Sequence, residues 1–398
     1  MRPSAAMSDR RLAFVYAPEV EDLSYPPECP FKTHRPTLTR RRLLSFGLLG
    51  LPGREEIHTP PAPRSALERL HTVRYLDELE RAAAGDLTAE GLHMGLGTPD
   101  TPVFRDLFTY GAWACGAALT AADLLRAGKV DVAFSLLGGF HHAMPERAGG
   151  FCYLNDVALA CQRLAESGRR VLYVDVDAHH GDGVQAAFYG RRDVMPISFH
   201  ESGRTLYPWG GFEDEIGEGE GRGFNANVSL PAGTYDAAFL LAFDQVATPL
   251  IQAFAPGYVV LELGMDALAG DPLTHLGLTN HAHEAVLRRL LQLGVPLLIA
   301  GGGGYHVENT VRGWALAWKV CAGEDDDHDL SLGLGGVMLA SSEWAGGLRD
   351  HELPVTAAQR QAVDPALRES IDAVRRNVFP HHGLPLDAPA ARTVAAPA

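Results

Sequence analysis

Tyr173-Val-Asp-Val-Asp-Ala-His-His-Gly-Asp-Gly183 is the stretch that decides the fold. It opens inside an apolar, β-branched run, Val171–Val176, and then places Asp175, Asp177, His179, His180 and Asp182 within eight residues. A run apolar at consecutive positions suits a strand covered on both faces, the situation of a parallel sheet. Alternate residues of an extended chain share a side, so Asp175, Asp177 and His179 can point together while the segment stays extended. Carboxylates buried there without partners are costly or take up protons, and a cation, an imidazolium or both relieve that cost. A surface turn rich in Asp and Gly does not explain why so apolar a strand ends in three carboxylates.

Similar runs recur at Leu12–Tyr16, Val132–Leu137, Val194–Phe199, Tyr258–Leu263 and Val295–Ala300. Between them, helical periodicity predicts helices over Leu38–Phe46, Ala66–Ala83, Phe108–Ala127, Asp156–Ser167, Ala237–Phe254, His281–Leu293 and Thr310–Val320. Strand and helix in alternation predict an α/β fold, three layers deep (αβα), with a mostly parallel central sheet. No composition break divides residues 1–383, which read as one domain. The Ala/Pro-rich segment 384–398 reads as a disordered tail, the glycine- and carboxylate-rich Gly210–Gly223 as a mobile surface loop, and the acidic run Glu324–Asp327 as solvated.

Three other strand ends repeat the polar pattern. Phe134-Ser-Leu-Leu-Gly-Gly-Phe-His-His142 brings His141 and His142, Val259-Val-Leu-Glu-Leu-Gly-Met-Asp266 brings Asp266, and Leu297-Leu-Ile-Ala-Gly-Gly-Gly-Gly-Tyr305 brings Tyr305. In a parallel sheet these ends lie along one edge, where α/β proteins bind ligands. Three protein ligands with one open position define a catalytic zinc site, and Asp177, His179 and Asp266 supply such a set. His141 and His142 then read as proton carriers, with Asp175 and Asp182 as the carboxylates available to orient them. Tyr305, after its glycine run, is placed to hydrogen-bond a developing oxyanion.

The rest of the chain narrows the function by exclusion. The 34 basic and 49 acidic residues among 398 leave a formal net charge of −15, which argues against broad binding of a phosphate backbone. Cys29, Cys115, Cys152, Cys161 and Cys321 are scattered and odd in number, the pattern of a reducing compartment rather than a disulfide framework. No run of ~18 apolar residues suggests a membrane span, and the first residues, MRPSAAMSDRR, lack a secretory apolar stretch. These features predict a cytoplasmic enzyme with neither nucleic-acid nor membrane partners. Gly301–Gly304 is no phosphate loop, because no Gly-Lys-Ser/Thr follows, and the glycines of Gly217–Gly223 open no helix. His281 and His283 read as surface histidines at a helix start, His381 and His382 as incidental, and Cys152 as a buried structural thiol.

The motifs GGFHHA, GGFCYLNDV, YVDVDAHHGDGVQ, LGMDALAGDP and GGGGYH, with PFKTHR near Pro30 and GLGTPDTPVF near Gly95, together resemble one family. It is the zinc-dependent histone deacetylase family with the arginase-like α/β fold, and within it the bacterial acetoin-utilisation-type branch. The resemblance runs from about Leu12 to about Cys321. It implies hydrolysis of the acetyl amide of acetyl-lysine, with an acetylated protein or peptide as partner. By it, Asp177, His179 and Asp266 match the metal ligands, for Zn2+ or, on the same donors, Fe2+ or Mn2+. His142 matches the general base and acid held by Asp182, His141 its electrostatic partner held by Asp175, and Tyr305 the transition-state tyrosine.

The same resemblance assigns Asp100 to the substrate backbone at the rim, and Gly150, Phe151 and Tyr207 to the acyl-lysine tunnel. Arg35 matches the inner end where acetate leaves. A structural potassium ion would use backbone oxygens of Asp175, Asp177, His179 and Phe199 with the Ser198 hydroxyl. Two departures stand out: Tyr207 where phenylalanine is usual, and Phe140 where tryptophan is frequent. Leu273 follows the AGDP motif where polyamine-selective relatives place a glutamate, which favours peptidyl substrates over acetylpolyamines unless Glu213 or Glu215 substitutes. An arginase-like ureohydrolase needs a second metal held by a carboxylate two residues before Asp266, and Gly264 stands there. A non-catalytic acyl-lysine reader would be expected to have lost a ligand, the tyrosine or a histidine, and none is missing.

Overall fold

The computed structural model describes residues 10–324 and 347–386. Eight strands, β1 (Leu12–Tyr16), β2 (Arg54–His58), β3 (Val132–Ser135), β4 (Val171–Asp175), β5 (Val194–Glu201), β6 (Ala226–Leu230), β7 (Tyr258–Glu262) and β8 (Leu297–Ala300), form one sheet. Its order is β2-β1-β3-β8-β7-β4-β5-β6, and every pairing is parallel. All strands except β2 are buried along their whole length, which is why the interior strands carry unbroken apolar sequence. The four strands that end in polar clusters, β3, β8, β7 and β4, are contiguous at the centre of the sheet. Their carboxyl ends therefore deliver His141, His142, Tyr305, Asp266 and the Asp175–Asp182 segment to one place.

The sheet has two strands that the sequence reading passes over, and they are its two edges. β2, Arg-Glu-Glu-Ile-His, is polar because one of its sides has no neighbour and faces solvent. β6, Ala-Asn-Val-Ser-Leu, is buried beneath a helix over Ala357–Val378 that the sequence reading also lacks. That helix buries Val363, Leu367, Ile371, Val374 and Val378 at helical spacing on an otherwise charged segment. The expected helix over Ala66–Ala83 is two, Arg64–Leu67 and Val73–Ala83, the second capped by Thr72 accepting from the Tyr75 N–H.

The segment Gly210–Gly223 is packed rather than a loose excursion. Glu215 accepts from the Gly211 and Phe212 N–H groups and from Gln185, and Ile216 and Gly221 are buried. Residues 384–386 extend the described chain beyond the expected domain end, with Leu384 against the core. The rest of the expected tail, and Asp325–Asp327 of the acidic run, lie outside the described residues.

Asp236–Phe254, continuous through a π-turn at Phe243–Ala247, is the one helix among the described residues that by length and composition alone is apolar enough to cross a membrane. Half of that stretch is buried inside the fold, with Phe239, Phe243, Leu250 and Phe254 inward. Its apolar face is accounted for by the core.

Candidate active site

β4 ends at Asp175, and the chain then turns so that the carboxylates separate. Asp175 Oδ2 faces His141 Nδ1 at 2.9 Å and accepts from the Tyr173 hydroxyl at 2.6 Å, while Oδ1 accepts from the Asp177 N–H. Asp177 points the other way, with one oxygen accepting from the His179 N–H and the other from the Gly303 N–H at 2.6 Å. His179 Nδ1 lies 2.8 Å from Asp266 Oδ2 and 3.2 Å from Asp177 Oδ1. Asp266 is fixed by the Ala178 N–H on its second oxygen. One donor atom from each of Asp177, His179 and Asp266 lies within 4.8 Å of the others, and all three residues are buried.

Burial disfavours charge on His179, yet Asp266 and Asp177 outweigh it and hold its pKa up to about 10. Burial and the Asp177 charge push Asp266 up to about 7. The two acids and the imidazole thus hold a proton between them where a cation is the better match. The glycines show the same fit. A Cβ at Gly303 would sit 2.0 Å from Asp266 Oδ2 and 2.9 Å from Asp177 Oδ2, so the run Gly301–Gly304 is the backbone cradle of this trio. The oxygen, nitrogen and oxygen donors fit zinc, iron(II) or manganese. Gly303→Ala should therefore fold but lower the affinity for added zinc by about 10–100-fold, the cost typical of losing support behind metal ligands. Competition with a chromophoric chelator measures it, and unchanged affinity would rule the cradle out.

Beside the trio stand the two histidines. His142 Nδ1 is 2.7 Å from Asp182 Oδ1, and the Nε2 atoms of His141 and His142 face each other at 3.2 Å. Their electrostatics diverge. Burial opposes charge on His141, but Asp175 and Asp177 raise its pKa to about 9. Burial, joined by the charge on His141, lowers His142 to about 4 despite Asp182. The environment thus pushes the two rings in opposite directions, His141 toward the imidazolium and His142 toward the neutral base.

Aromatic rings gather around these groups. Tyr305 lies 6.3 Å from the His179 ring and 5.9 Å from Phe151, and Tyr207 lies 5.1 Å from His142. Gly150 lets this wall approach, because a Cβ there would be 2.3 Å from the His142 ring. Phe151 adopts φ 65°, its N–H bonded to the Asp100 carbonyl and its own carbonyl to the Tyr25 hydroxyl. Asp100 itself is exposed and Leu273 half-buried. Asp271 accepts from the Tyr305 N–H at 2.7 Å and so fixes the turn that carries the phenol. Burial and the nearby Asp266 and Asp177 raise the Tyr305 pKa well above that of a free phenol, so it stays protonated.

Arg35 is buried behind the trio, donating to the Gly304 and Gly302 carbonyls at 2.8 and 2.9 Å and stacking on Phe31 and Trp314. Ser198 sits beside Asp175 in the β4–β5 register. His200 Nε2 contacts the Gly211 carbonyl, which makes Nδ1 the acceptor of the Ser198 hydroxyl at 2.8 Å and leaves lone pairs on the serine oxygen.

Several residues belong to the site without having been singled out. Asp156 accepts from the Gly139 and Phe140 N–H groups, and Asn155 donates to the Ala143 carbonyl, so this pair clamps the loop that carries the two histidines. Their position in the GGFCYLNDV motif was the available signal. His283 is buried, against the expectation of a surface histidine, and bonds the Gly264 carbonyl just before Asp266. Its ring spaces the helix Asn280–Leu291 from the metal loop, which helical periodicity alone does not show. His281 contacts the Asp350 carbonyl and His382 the Gly223 carbonyl, so both are structural. Glu215 is turned onto Gln185 and does not stand free to receive a cationic amine. Cys152 is buried, as expected.

An all-parallel α/β sheet thus carries at its central carboxyl edge an Asp–His–Asp donor set that could hold a metal ion, with a carboxylate-held histidine pair beside it, on an arginase/deacetylase-like fold. A family model described as a histone deacetylase domain matches residues 29–321. The acetoin utilization protein AcuC of Bacillus subtilis is 38% identical over 330 residues, covering 81% of this chain and 84% of that protein. Histone deacetylase RPD3 of Saccharomyces cerevisiae is 36% identical over 311 residues, 77% of this chain and 71% of that one. Among solved structures, a histone deacetylase homologue complexed with SAHA superposes with a TM-score of 0.82 at 29% identity, covering 92% of this chain and 100% of that one. The chain belongs to the histone deacetylase family, and its likeness to AcuC places it with the acetoin-utilisation-type branch.

Proposed function

We propose that the chain hydrolyses the acetyl amide of acetyl-lysine in proteins or peptides, yielding acetate and the free lysine, with zinc on Asp177, His179 and Asp266. The observation that carries this reading is geometric: two adjacent histidines, each held by its own carboxylate, stand beside one buried Asp–His–Asp donor trio. A divalent ion in the trio supplies Lewis acidity that polarises an acyl oxygen and makes water nucleophilic near neutral pH.

The chain's own residues do the rest. His142 takes the proton of the attacking water at Nε2 while Asp182 holds Nδ1–H and fixes the tautomer. It then gives that proton to the departing lysine nitrogen. His141 contributes its positive charge beside the growing negative charge. The Tyr305 hydroxyl donates to the tetrahedral oxygen. Phe151 and Tyr207 flank an apolar lysine stem, which suits a neutral acyl-lysine rather than a charged one. Asp100 accepts substrate backbone N–H groups, and Arg35 receives the acetate carboxylate. The backbone oxygens of Asp175, Asp177, His179 and Phe199, with the lone pairs left on the Ser198 hydroxyl, would hold a potassium ion and steady this loop.

An acetylpolyamine substrate is the competing reading, and Leu273 argues against it because no carboxylate stands there for a distal amine. Zinc-loaded protein should turn over an acetyl-lysine peptide with kcat/KM at least about tenfold above that for acetylputrescine, the worth of one missing charge-assisted contact. Leu273→Glu should narrow that ratio. A wild-type preference for acetylputrescine would overturn the assignment, and no turnover of either substrate by metal-replete protein would favour a binding-only role.

A further inference from the structure

Trp209 is the most exposed large apolar side chain among the described residues, with 64% of its surface open. A tryptophan left so open forgoes a large apolar contact, and such rings are the anchors that binding surfaces favour. Its backbone sits at φ 66°, a conformation that costs a bulky residue and that glycine adopts freely. Three non-glycine residues among those described have positive φ: Phe151, Trp209 and Ala255. Phe151 flanks the proposed acyl-lysine tunnel, and Trp209 stands two residues beyond Tyr207 of the same tunnel. The Tyr207 ring is 5.1 Å from His142, and the charges of Asp100 and Arg147 act on its hydroxyl. This turn therefore borders the same opening as the Asp100 rim.

The backbone that carries the indole is fixed. The Trp209 N–H bonds the Leu206 carbonyl at 3.2 Å, and a Cβ at Gly203 would lie 2.3 Å from the Gly210 carbonyl oxygen, so the turn closes tightly on itself. Glu215 takes the Gly211 and Phe212 N–H groups just beyond. Glu201, buried where β5 ends, accepts from the Thr205 hydroxyl and holds His275 by its N–H at 2.8 Å and its Nδ1 at 2.9 Å. That carboxylate ties the Trp209 turn to the segment carrying Leu273. A ring presented from so fixed a support loses little further freedom when a partner covers it.

We propose that Trp209 is a specificity-determining platform that binds a neutral aromatic side chain next to the acetyl-lysine of the substrate. The proposal rests on the acetyl-lysine reading above. Neutrality follows from the charges around the opening. Arg204, exposed on the same turn, and Arg147 disfavour a cationic neighbour, while Asp100 disfavours an acidic one. An aromatic ring gains most from an open indole, by area and by ring-on-ring contact.

The test uses zinc-loaded protein and acetyl-lysine peptides that carry phenylalanine, alanine or arginine beside the acetyl-lysine, on either side, with capped single acetyl-lysine as the reference. Wild type should favour phenylalanine over alanine and arginine on one side by about tenfold in kcat/KM, through KM, because the contact lies away from the reacting atoms. Trp209→Gly removes the ring and relaxes the backbone, so its Tm should equal or exceed that of wild type. It should lose the phenylalanine preference while turning over capped acetyl-lysine within about twofold of wild type, and Trp209→Phe should keep most of the preference. A wild type indifferent to the neighbouring residue, or one that prefers arginine, overturns the platform. So does a Trp209→Gly protein that fails to fold, or that slows every substrate equally with a lowered Tm, since the ring is then structural. Turnover of capped acetyl-lysine without a neighbour preference sinks the platform alone. No turnover of any of these substrates by metal-replete wild type sinks the acetyl-lysine reading and the platform with it.

Discussion

His142→Ala should lower kcat for an acetyl-lysine peptide by about 10²–10⁴-fold, with the upper end expected because one ring serves both proton transfers. Binding should change little, since the aromatic wall that holds the lysine stem stays in place, so the loss falls on kcat rather than KM. Metal content should also be unaffected, because the Asp177–His179–Asp266 donors are anchored by the Ala178, His179 and Gly303 N–H groups and not by His142. The pH profile carries the sharper signature. A base acts only when neutral, and burial beside the charged His141 holds His142 down at about 4. Activity is therefore retained as pH falls through the ordinary imidazole range near 6.5 and is lost only toward the lower value. An acid limb centred near 6.5, or a variant within a few-fold of wild type with full metal, would remove His142 from this role.

What made this site legible was contrast. Polar residues at the end of a surface strand carry little information, but Asp175, His141, Asp266 and Tyr305 each follow a run too apolar to sit anywhere except the middle of a sheet. The central strands β3, β8, β7 and β4 are those runs. The same signal fails where burial is one-sided or comes from a distant segment. β2 is half solvent-facing and reads as polar, while β6 owes its burial to Ala357–Val378, more than a hundred residues later. Glu262, fully buried where β7 ends, escapes that signal for the opposite reason. A single carboxylate inside an apolar strand looks like a strand end facing solvent, and only the register beside Asp175 shows it enclosed. Gly210–Gly223 misled because glycine and glutamate compose loops. Here the Glu215 carboxylate organises the turn from within, and the glycines serve close backbone approach, as at Gly221, where a Cβ would lie 2.5 Å from the Tyr189 carbonyl.

Tyr305→Phe isolates the other half of the chemistry, because it removes one hydroxyl and leaves the ring. Phe151 and His179 keep their aromatic neighbour, and the backbone turn stays tied through the Tyr305 N–H to Asp271, which does not involve the phenol. Folding, metal uptake and substrate binding should then match wild type. The hydroxyl is also in the right state to donate, since burial and the adjacent Asp266 and Asp177 keep it protonated throughout the working pH range. A donor aimed at a developing oxyanion in a water-poor site contributes to the transition state far more than to the ground state. The expected result is a fall of about 10²–10³-fold in kcat, with KM within a few-fold of wild type. Unlike His142→Ala, this variant should keep the wild-type acid limb, because the titrating base is still present. A Tyr305→Phe enzyme that loses affinity in proportion to turnover would make the phenol a binding group only. One that turns over like wild type would leave the oxyanion without the donor assigned to it.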